Sequence, residues 1–370
     1  MFIFTLHTEI TNLDTFAEFA LSEAINERDM ILTNESIFIP FIRDLELPCE
    51  VLFQEKYGSG EPNDEMIDSI RKDTPNDITR IVAVGGGTVI DIAKILVFAG
   101  EWKTEDLFTG EIIPQKVRSL IVVPTTCGTG SEVTNITISA LRRQKTKKGL
   151  ALDSMYADRA ILITEVVKSL PYKFFATSSM DAFIHAMESY LSPKAIYHSE
   201  AYSEKAMRLI LQSYLYTLEK GLEKWKDRAK EFLLASNLAG IAFGYAGCAA
   251  IHATSYPLSG KYHIPHGEAN QLMLSAVLYK YKQKQPEGKL KLLEELVASE
   301  LNVSVEIAIT TLLELFDQIY AKKGLREYGI AEPELEEFAD SVIVGQQRLL
   351  SNNYVEMTRN DILEIYRESF

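Results

Sequence analysis

Asp181 and His185 stand four residues apart in a helical stretch, which puts both side chains on one helix face. His252 and His266 follow, fourteen positions apart. Three imidazoles and one carboxylate form a nitrogen and oxygen set that suits a divalent ion and leaves a position open for a substrate oxygen. Taken singly, each residue has a commoner explanation. An Asp and a His four apart often make a buried hydrogen-bonded pair, and a lone histidine such as His252 is usually a satisfied core residue. What favours a metal is that four of the six histidines fall in this pair or between Ile251 and Gly267. A closed structural site would normally recruit cysteine, so an open set of N and O donors argues for catalysis.

A second chemistry is written earlier in the chain. Gly85-Gly86-Gly87-Thr88 follows the apolar run Ile81–Val84 and precedes a helical pattern from Val89. Glycines let backbone N–H groups approach a phosphate without Cβ interference, and a helix N-terminus adds free donors and a favourable dipole. The pattern is neither a Walker loop nor GxGxxG, and a tight strand-to-helix turn would look the same. Pro124-Thr125-Thr126-Cys127-Gly128-Thr129-Gly130-Ser131-Glu132 also trails a strand, and its hydroxyls suit ribose and pyrophosphate. Ser131 or Thr129 could instead cap a helix. Two such loops in one sheet favour a dinucleotide. Asn34, just past the second strand, occupies the place of the ribose-binding residue and favours NAD over NADP.

The elements that must hold these residues fall into two textures. Phe2–Leu6, Met30–Thr33, Val51–Phe53, Ile81–Val84, Leu120–Val123 and Ala160–Ile163 read as buried strands, with helical spacing in Asp14–Ile25, Asp64–Lys72 and Val89–Phe98. That alternation predicts an α/β domain with a Rossmann-like parallel sheet over residues 1–170. Residues 171–370 predict an all-α domain, with helices over Lys173–Tyr190, Ser199–Leu218, Lys226–Phe243, Ala269–Lys280, Leu290–Ser299, Val305–Ala321, Glu334–Leu350 and Arg359–Arg367. A ligand cleft is expected between the two.

Bulk properties narrow the partners. A net charge of −14 disfavours nucleic acid and anionic membrane surfaces. Three distant cysteines exclude a disulfide framework and a CxxC zinc site. Met1-Phe2-Ile3-Phe4 lacks the positive charge of a secretory signal, so a cytoplasmic protein is expected. A homodimer is the expected assembly.

Together these motifs resemble the iron-containing (group III) alcohol dehydrogenase family. The likeness runs through Gly85–Asp91, Pro124–Glu132, Asp181 with His185, and His252 through Pro265-His266-Gly267, in the family's order and over essentially the whole chain. Within the family it is strongest to the 4-hydroxybutyrate dehydrogenases, through Phe53–Gly58, Leu170–Phe175 and Gly345-Gln346-Gln347-Arg348-Leu349-Leu350. The resemblance implies Asp181, His185, His252 and His266 as ligands of a catalytic divalent metal, iron first and zinc second. It implies NAD pyrophosphate on Gly86, Gly87 and Thr88, with Asp91 of the same motif. Thr125, Thr126, Thr129 and Ser131 would line ribose and nicotinamide, and Lys148 would reach the cofactor. Many members have a second histidine four residues after the one matching His252; here that position is Tyr256, and His263 is the candidate to replace it in proton transfer.

The implied reaction passes hydride between NAD and a small alcohol or aldehyde, with the metal as Lewis acid. Interconversion of 4-hydroxybutyrate and succinate semialdehyde needs a cation for the substrate carboxylate, and Lys261 is the nearest by sequence, beside His263. The basic run Arg142–Lys148 reads mostly as a solvated loop. Dehydrogenation of another small alcohol or diol, and a non-enzymatic dinucleotide module with a structural metal, are the alternatives.

Overall fold

A computed structural model describes residues 4–144 and 146–370. The chain divides into two compact units, Met1–Leu170 and Pro171–Phe370. In the first, strands β1 (Glu9–Leu13), β2 (Asp29–Thr33), β3 (Glu50–Phe53), β4 (Arg80–Gly85), β5 (Ser119–Pro124) and β8 (Arg159–Ile163) form one sheet, while β6 (Ile136–Leu141) and β7 (Thr146–Ala151) form a hairpin. Its helices are α1 (Phe16–Ser22), α2 (Glu35–Phe41), α3 (Asp64–Asp73), α4 (Gly87–Leu96), α5 (Thr104–Thr109) and α6 (Thr164–Val167). The second unit is helical among the described residues: α7 (Tyr172–Leu191), α8 (Tyr197–Lys220), α9 (Ala229–Ala246), α10 (Ala250–Tyr262), α11 (His266–Lys284), α12 (Lys289–Leu301), α13 (Ala308–Ile319), α14 (Glu334–Gly345), α15 (Gln347–Leu350) and α16 (Arg359–Ser369). This is the α/β-then-helical layout expected from the sequence. No single helix is long and apolar enough to cross a membrane.

The six strands run in the order β1-β8-β5-β4-β2-β3, and every pairing is parallel. Alternate residues of one strand bury opposite faces: Ile81 and Ala83 join one apolar cluster, Val82 and Val84 the other. The progression of strands reverses between β2 and β4, and ligands of open α/β sheets bind beyond the strand ends at such a reversal. Asn34 and Gly85–Thr88 both lie there, and Thr33 Oγ1 donates to the Val84 carbonyl at 2.8 Å, tying the two strand ends together.

Three expectations are corrected. Phe4–Leu6 is not a strand, and Phe2 and Ile3 lie outside the described residues. The edge strand is Glu9–Leu13, paired with β8 alone and partly exposed, so it carries no apolar run. The basic run is not a simple loop, because Thr146–Ala151 is a strand of the hairpin; Lys145 lies outside the described residues. The long helix expected over Glu334–Leu350 breaks at Gln346 into α14 and α15.

A buried charge ties the hairpin and its preceding loop to α4. Lys94 is fully buried, and its ammonium donates to Ser131 Oγ at 2.6 Å, Thr134 Oγ1 at 3.1 Å and the Ile136 carbonyl at 2.6 Å. Three donors meet three acceptors. Asp91 Oδ1 lies 3.6 Å from the same nitrogen and accepts from Ser131 Oγ at 2.6 Å, while Oδ2 accepts from the Ile138 amide at 3.0 Å. Burial pulls the Lys94 ammonium below its ordinary value, and Asp91 and Glu132 work against that. Replacing Lys94 strips the counter-charge from Asp91 and takes the ammonium donor away from two hydroxyl oxygens and the Ile136 carbonyl. Lys94→Met is expected to cost about 3 kcal/mol of unfolding free energy, read from the urea midpoint; an unmoved midpoint would mean that the network contributes nothing net.

Candidate metal centre and nucleotide-binding loops

Helix α7 is buried on all sides, from Phe175 almost without break to Leu191. Polar groups within such a helix must find partners or cost several kcal/mol each. Asp181, His185 and Glu188 lie at i, i+4 and i+7 on one of its faces. The Glu188 carboxylate accepts from the Ala249 amide at 2.8 Å, the Ile251 amide at 2.6 Å and His252 Nδ1 at 2.6 Å. It thereby satisfies the free N–H groups that open α10 and places negative charge at the positive end of that helix. It also fixes the tautomer of His252: with Nδ1 protonated toward Glu188, Nε2 presents its lone pair.

That lone pair faces three companions. His252 Nε2 lies 3.7 Å from Asp181 Oδ1, His266 Nε2 lies 3.8 Å from the same oxygen, and His185 Nδ1 lies 3.9 Å from Asp181 Oδ2. One donor atom from each of the four residues falls within 4.8 Å of all the others. Ligands about 2.1 Å from a common ion at tetrahedral angles lie about 3.4 Å apart, so the arrangement needs only slight contraction to hold one. The Asn270 amide Nδ2 sits at the focus, donating to Asp181 Oδ1 at 2.7 Å and lying 3.1 Å from His252 Nε2 and 3.3 Å from His266 Nε2. Acceptors gathered around one electrophilic N–H are what a cation site requires.

Packing sets the remaining members of the cluster. The His185 ring stacks on Phe243 at 4.5 Å and on His252 at 4.6 Å. His266 opens α11 directly after Pro265, and Gly267 lets that helix end abut α7: a Cβ there would meet the Thr177 carbonyl oxygen at 2.2 Å. Burial alone would raise the Asp181 carboxyl, but His185, His266, His252 and the Asn270 amide outweigh it and hold the group below the usual range. His252 is likewise pulled down by burial and raised overall by Glu188 and Asp181.

A second cluster, Glu188, Cys248 and His252, shares one imidazole with the first. It is the poorer site. Its His252 nitrogen is already committed to Glu188, and burial pushes the Cys248 thiol well above its ordinary value, away from the thiolate a metal needs.

The other residues singled out in the sequence are distributed as follows. Tyr256 is half-buried, its ring centroid 6.1 Å from that of His266. His263 is exposed and ends α10 in the left-handed conformation, φ 55°. Lys261 lies on the surface, 2.5 Å from Glu334 and 3.7 Å from Glu337. In the first unit Gly86 and Gly87 are needed for close approach rather than for unusual φ: a Cβ would meet Thr126 at 3.2 Å in one case and Thr129 at 3.0 Å in the other. The two loops therefore lie against each other, joined also by the Thr125 amide donating to the Gly85 carbonyl at 3.0 Å. Thr88 is half-buried and donates to the Gly60 carbonyl at 3.2 Å. Ser131 and Asp91 are bound to each other and to Lys94, as above. Lys148 is exposed on β7 opposite Ser139. Asn34 donates to Glu55 Oε2 at 2.7 Å, and the Glu35 amide donates to Glu55 Oε1 at 2.6 Å, so an acidic side chain from the end of β3 stands beside Asn34.

Three of these partners escaped sequence reasoning. Glu188 was readable as the third member of the Asp181, His185 face. Asn270 stands one helical turn after His266. Glu55, distant from Asn34 in sequence, gave no signal.

Profiles of two families match the chain: iron-containing alcohol dehydrogenase over residues 18–164, and the C-terminal region of the Fe-containing alcohol dehydrogenase family over 175–370. A 4-hydroxybutyrate dehydrogenase of Clostridium kluyveri is 48% identical over 371 aligned positions covering all of both chains. Long-chain-alcohol dehydrogenase 1 of Geobacillus thermodenitrificans is 33% identical over 78% of this chain and 74% of its own. Among solved structures, sulfoacetaldehyde reductase from Bifidobacterium kashiwanohense in complex with NAD+ superposes with a TM-score of 0.86 at 23% identity, over 100% of this chain and 98% of that one.

Glu188→Gln is expected to weaken Fe²⁺ or Zn²⁺ binding about 10- to 100-fold, measured by competition with a chelator. Metal needs the neutral imidazole, so affinity falls as pH drops through the His252 value. In the unaltered protein that loss begins above the ordinary 6.5, and in the variant it moves to lower pH. Identical affinity and pH profile in both proteins would show that Glu188 does not hold the ligand.

Proposed function

The chain belongs to the iron-containing alcohol dehydrogenase family, and from that premise we propose that it interconverts 4-hydroxybutyrate and succinate semialdehyde, using NAD and a bound divalent metal. The observation that carries the reaction class is the convergence of donor atoms of buried Asp181, His185 and His252 and half-buried His266 on one point. The substrate rests on the likeness to the Clostridium kluyveri protein along the whole chain.

The donor set suits the chemistry. When bound, the ion supplies Lewis acidity to the alcohol or carbonyl oxygen, and NAD accepts or returns the hydride. Three neutral imidazoles and one carboxylate offset only one of two positive charges, which preserves that acidity. Glu188 keeps His252 in the ligating tautomer, and the apolar surroundings of α7 exclude water and strengthen every electrostatic contact. Tyr256, adjoining His266, is better placed than exposed His263 to exchange a proton with substrate. Iron is the metal proposed; a set of three nitrogens and one oxygen also admits zinc.

The two glycine and threonine loops support a pyrophosphate at the N-terminus of α4, with the Asp91–Lys94 network holding the second loop in place. Glu55, beside Asn34, adds the negative charge that Asn34 lacks and would repel a 2′-phosphate. Glu55→Gln is expected to lower the preference for NAD over NADP about fivefold. An unchanged preference would remove Glu55 from the ribose site.

The direct test is NADH oxidation by anaerobic Fe²⁺-loaded protein, with succinate semialdehyde beside butyraldehyde. A higher kcat/KM for the semialdehyde by at least about tenfold is expected from one charge-assisted contact to its carboxylate. Equal use of both aldehydes would remove the hydroxy-acid assignment and leave an alcohol dehydrogenase of different specificity.

A further inference from the structure

The cation that sequence proximity suggests for the substrate carboxylate, Lys261, is neutralised by Glu334 and Glu337. Most other cations of the helical unit are similarly engaged: Lys173 meets Glu268 at 2.9 Å, and Lys289 meets Glu200 at 2.7 Å. Arg348 differs. It is exposed on the short helix α15, and among the described residues no carboxylate lies within ion-pairing distance of it.

Its setting is built onto the metal-ligand helix. Helix α15 packs against α10, and the chain just beyond is fastened to the start of α10 by two side chains. Asn352 Nδ2 donates to the Cys248 carbonyl at 2.9 Å, and Asn353 Oδ1 accepts from the Ala250 amide at 3.2 Å. Gly247 makes room for this seating, since a Cβ there would meet Asn352 Nδ2 at 2.2 Å. His252 follows within the first turn of that helix. A guanidinium offers a planar, always-charged fork matched to a carboxylate.

We propose that Arg348 anchors the substrate's carboxylate, so that the four-carbon chain presents its other end to the metal centre. This rests on the 4-hydroxybutyrate reading above and names the residue that would confer it. A substrate of this class has a carboxylate at one end and the reacting oxygen at the other, and one cation fixed relative to the metal selects for both ends. Uncharged aldehydes gain nothing from Arg348. The rigid connection through Asn352 and Asn353 keeps that relation constant.

The test compares unaltered, Arg348→Gln and Arg348→Lys proteins, each metal-loaded, with succinate semialdehyde and butyraldehyde. In Arg348→Gln the ratio of kcat/KM values, semialdehyde over butyraldehyde, should fall about 10- to 100-fold. Arg348→Lys should recover part of it, because the charge returns without the fork. Inhibition by succinate, a carboxylate that cannot be reduced here, should weaken in parallel. If the unaltered protein favours the semialdehyde and Arg348→Gln keeps both that ratio and its succinate inhibition, Arg348 is not the anchor. If the unaltered protein shows no preference, the substrate reading itself fails, and the two failures are thereby told apart.

Discussion

Gathering four lone-pair donors around one point, three of them on buried residues and the fourth on half-buried His266, is the constraint on which the helical unit is organised. Each donor is costly to bury alone and mutually compatible only in one protonation state. Glu188 resolves the hardest part of this. Its carboxylate accepts hydrogen bonds from His252 Nδ1 and two backbone amides at the start of α10, so one buried negative charge satisfies three donors and orients the imidazole. Asp181 carries the second charge, held by three histidines and by Asn270. The surrounding helices then need only bring their ends together, and Gly267 permits the closest of these approaches.

The α/β unit meets a comparable problem with different means. A glycine strip and a threonine loop lie against each other, and most of the threonine loop is buried. The ion pair of Asp91 and Lys94 fastens the threonine loop and the β6–β7 hairpin to helix α4. Residues that sequence motifs associate with the cofactor thus divide in function. Gly86, Gly87, Thr126 and Thr129 bring the two loops into contact, whereas Asp91 and Ser131 bond each other and Lys94.

Much of this was legible beforehand because the relevant signals are local. Buried parallel strands show as apolar runs, and β2, β4, β5 and β8 fall close to their expected places. Asp181 with His185, and His252 with His266, stood out by residue type. What was hidden had physical reasons. Helix α10, which carries His252, contains Pro257 and Gly260 and is buried through most of its first turns, so it shows no amphipathic period. Strand β1 is an edge strand without an apolar run. Lys261 lay nearest the ligands in sequence but points its charge at Glu334. Glu55 and Arg348 are brought to their neighbours by tertiary structure alone.

The central claim is that a divalent ion sits among Asp181, His185, His252 and His266. X-ray absorption at the iron edge of anaerobically loaded protein tests it directly. The account predicts a first shell of nitrogen and oxygen only, at about 2.0–2.2 Å, including three imidazoles. A sulfur scatterer near about 2.3 Å would place the ion instead with Cys248, Glu188 and His252, and would contradict it.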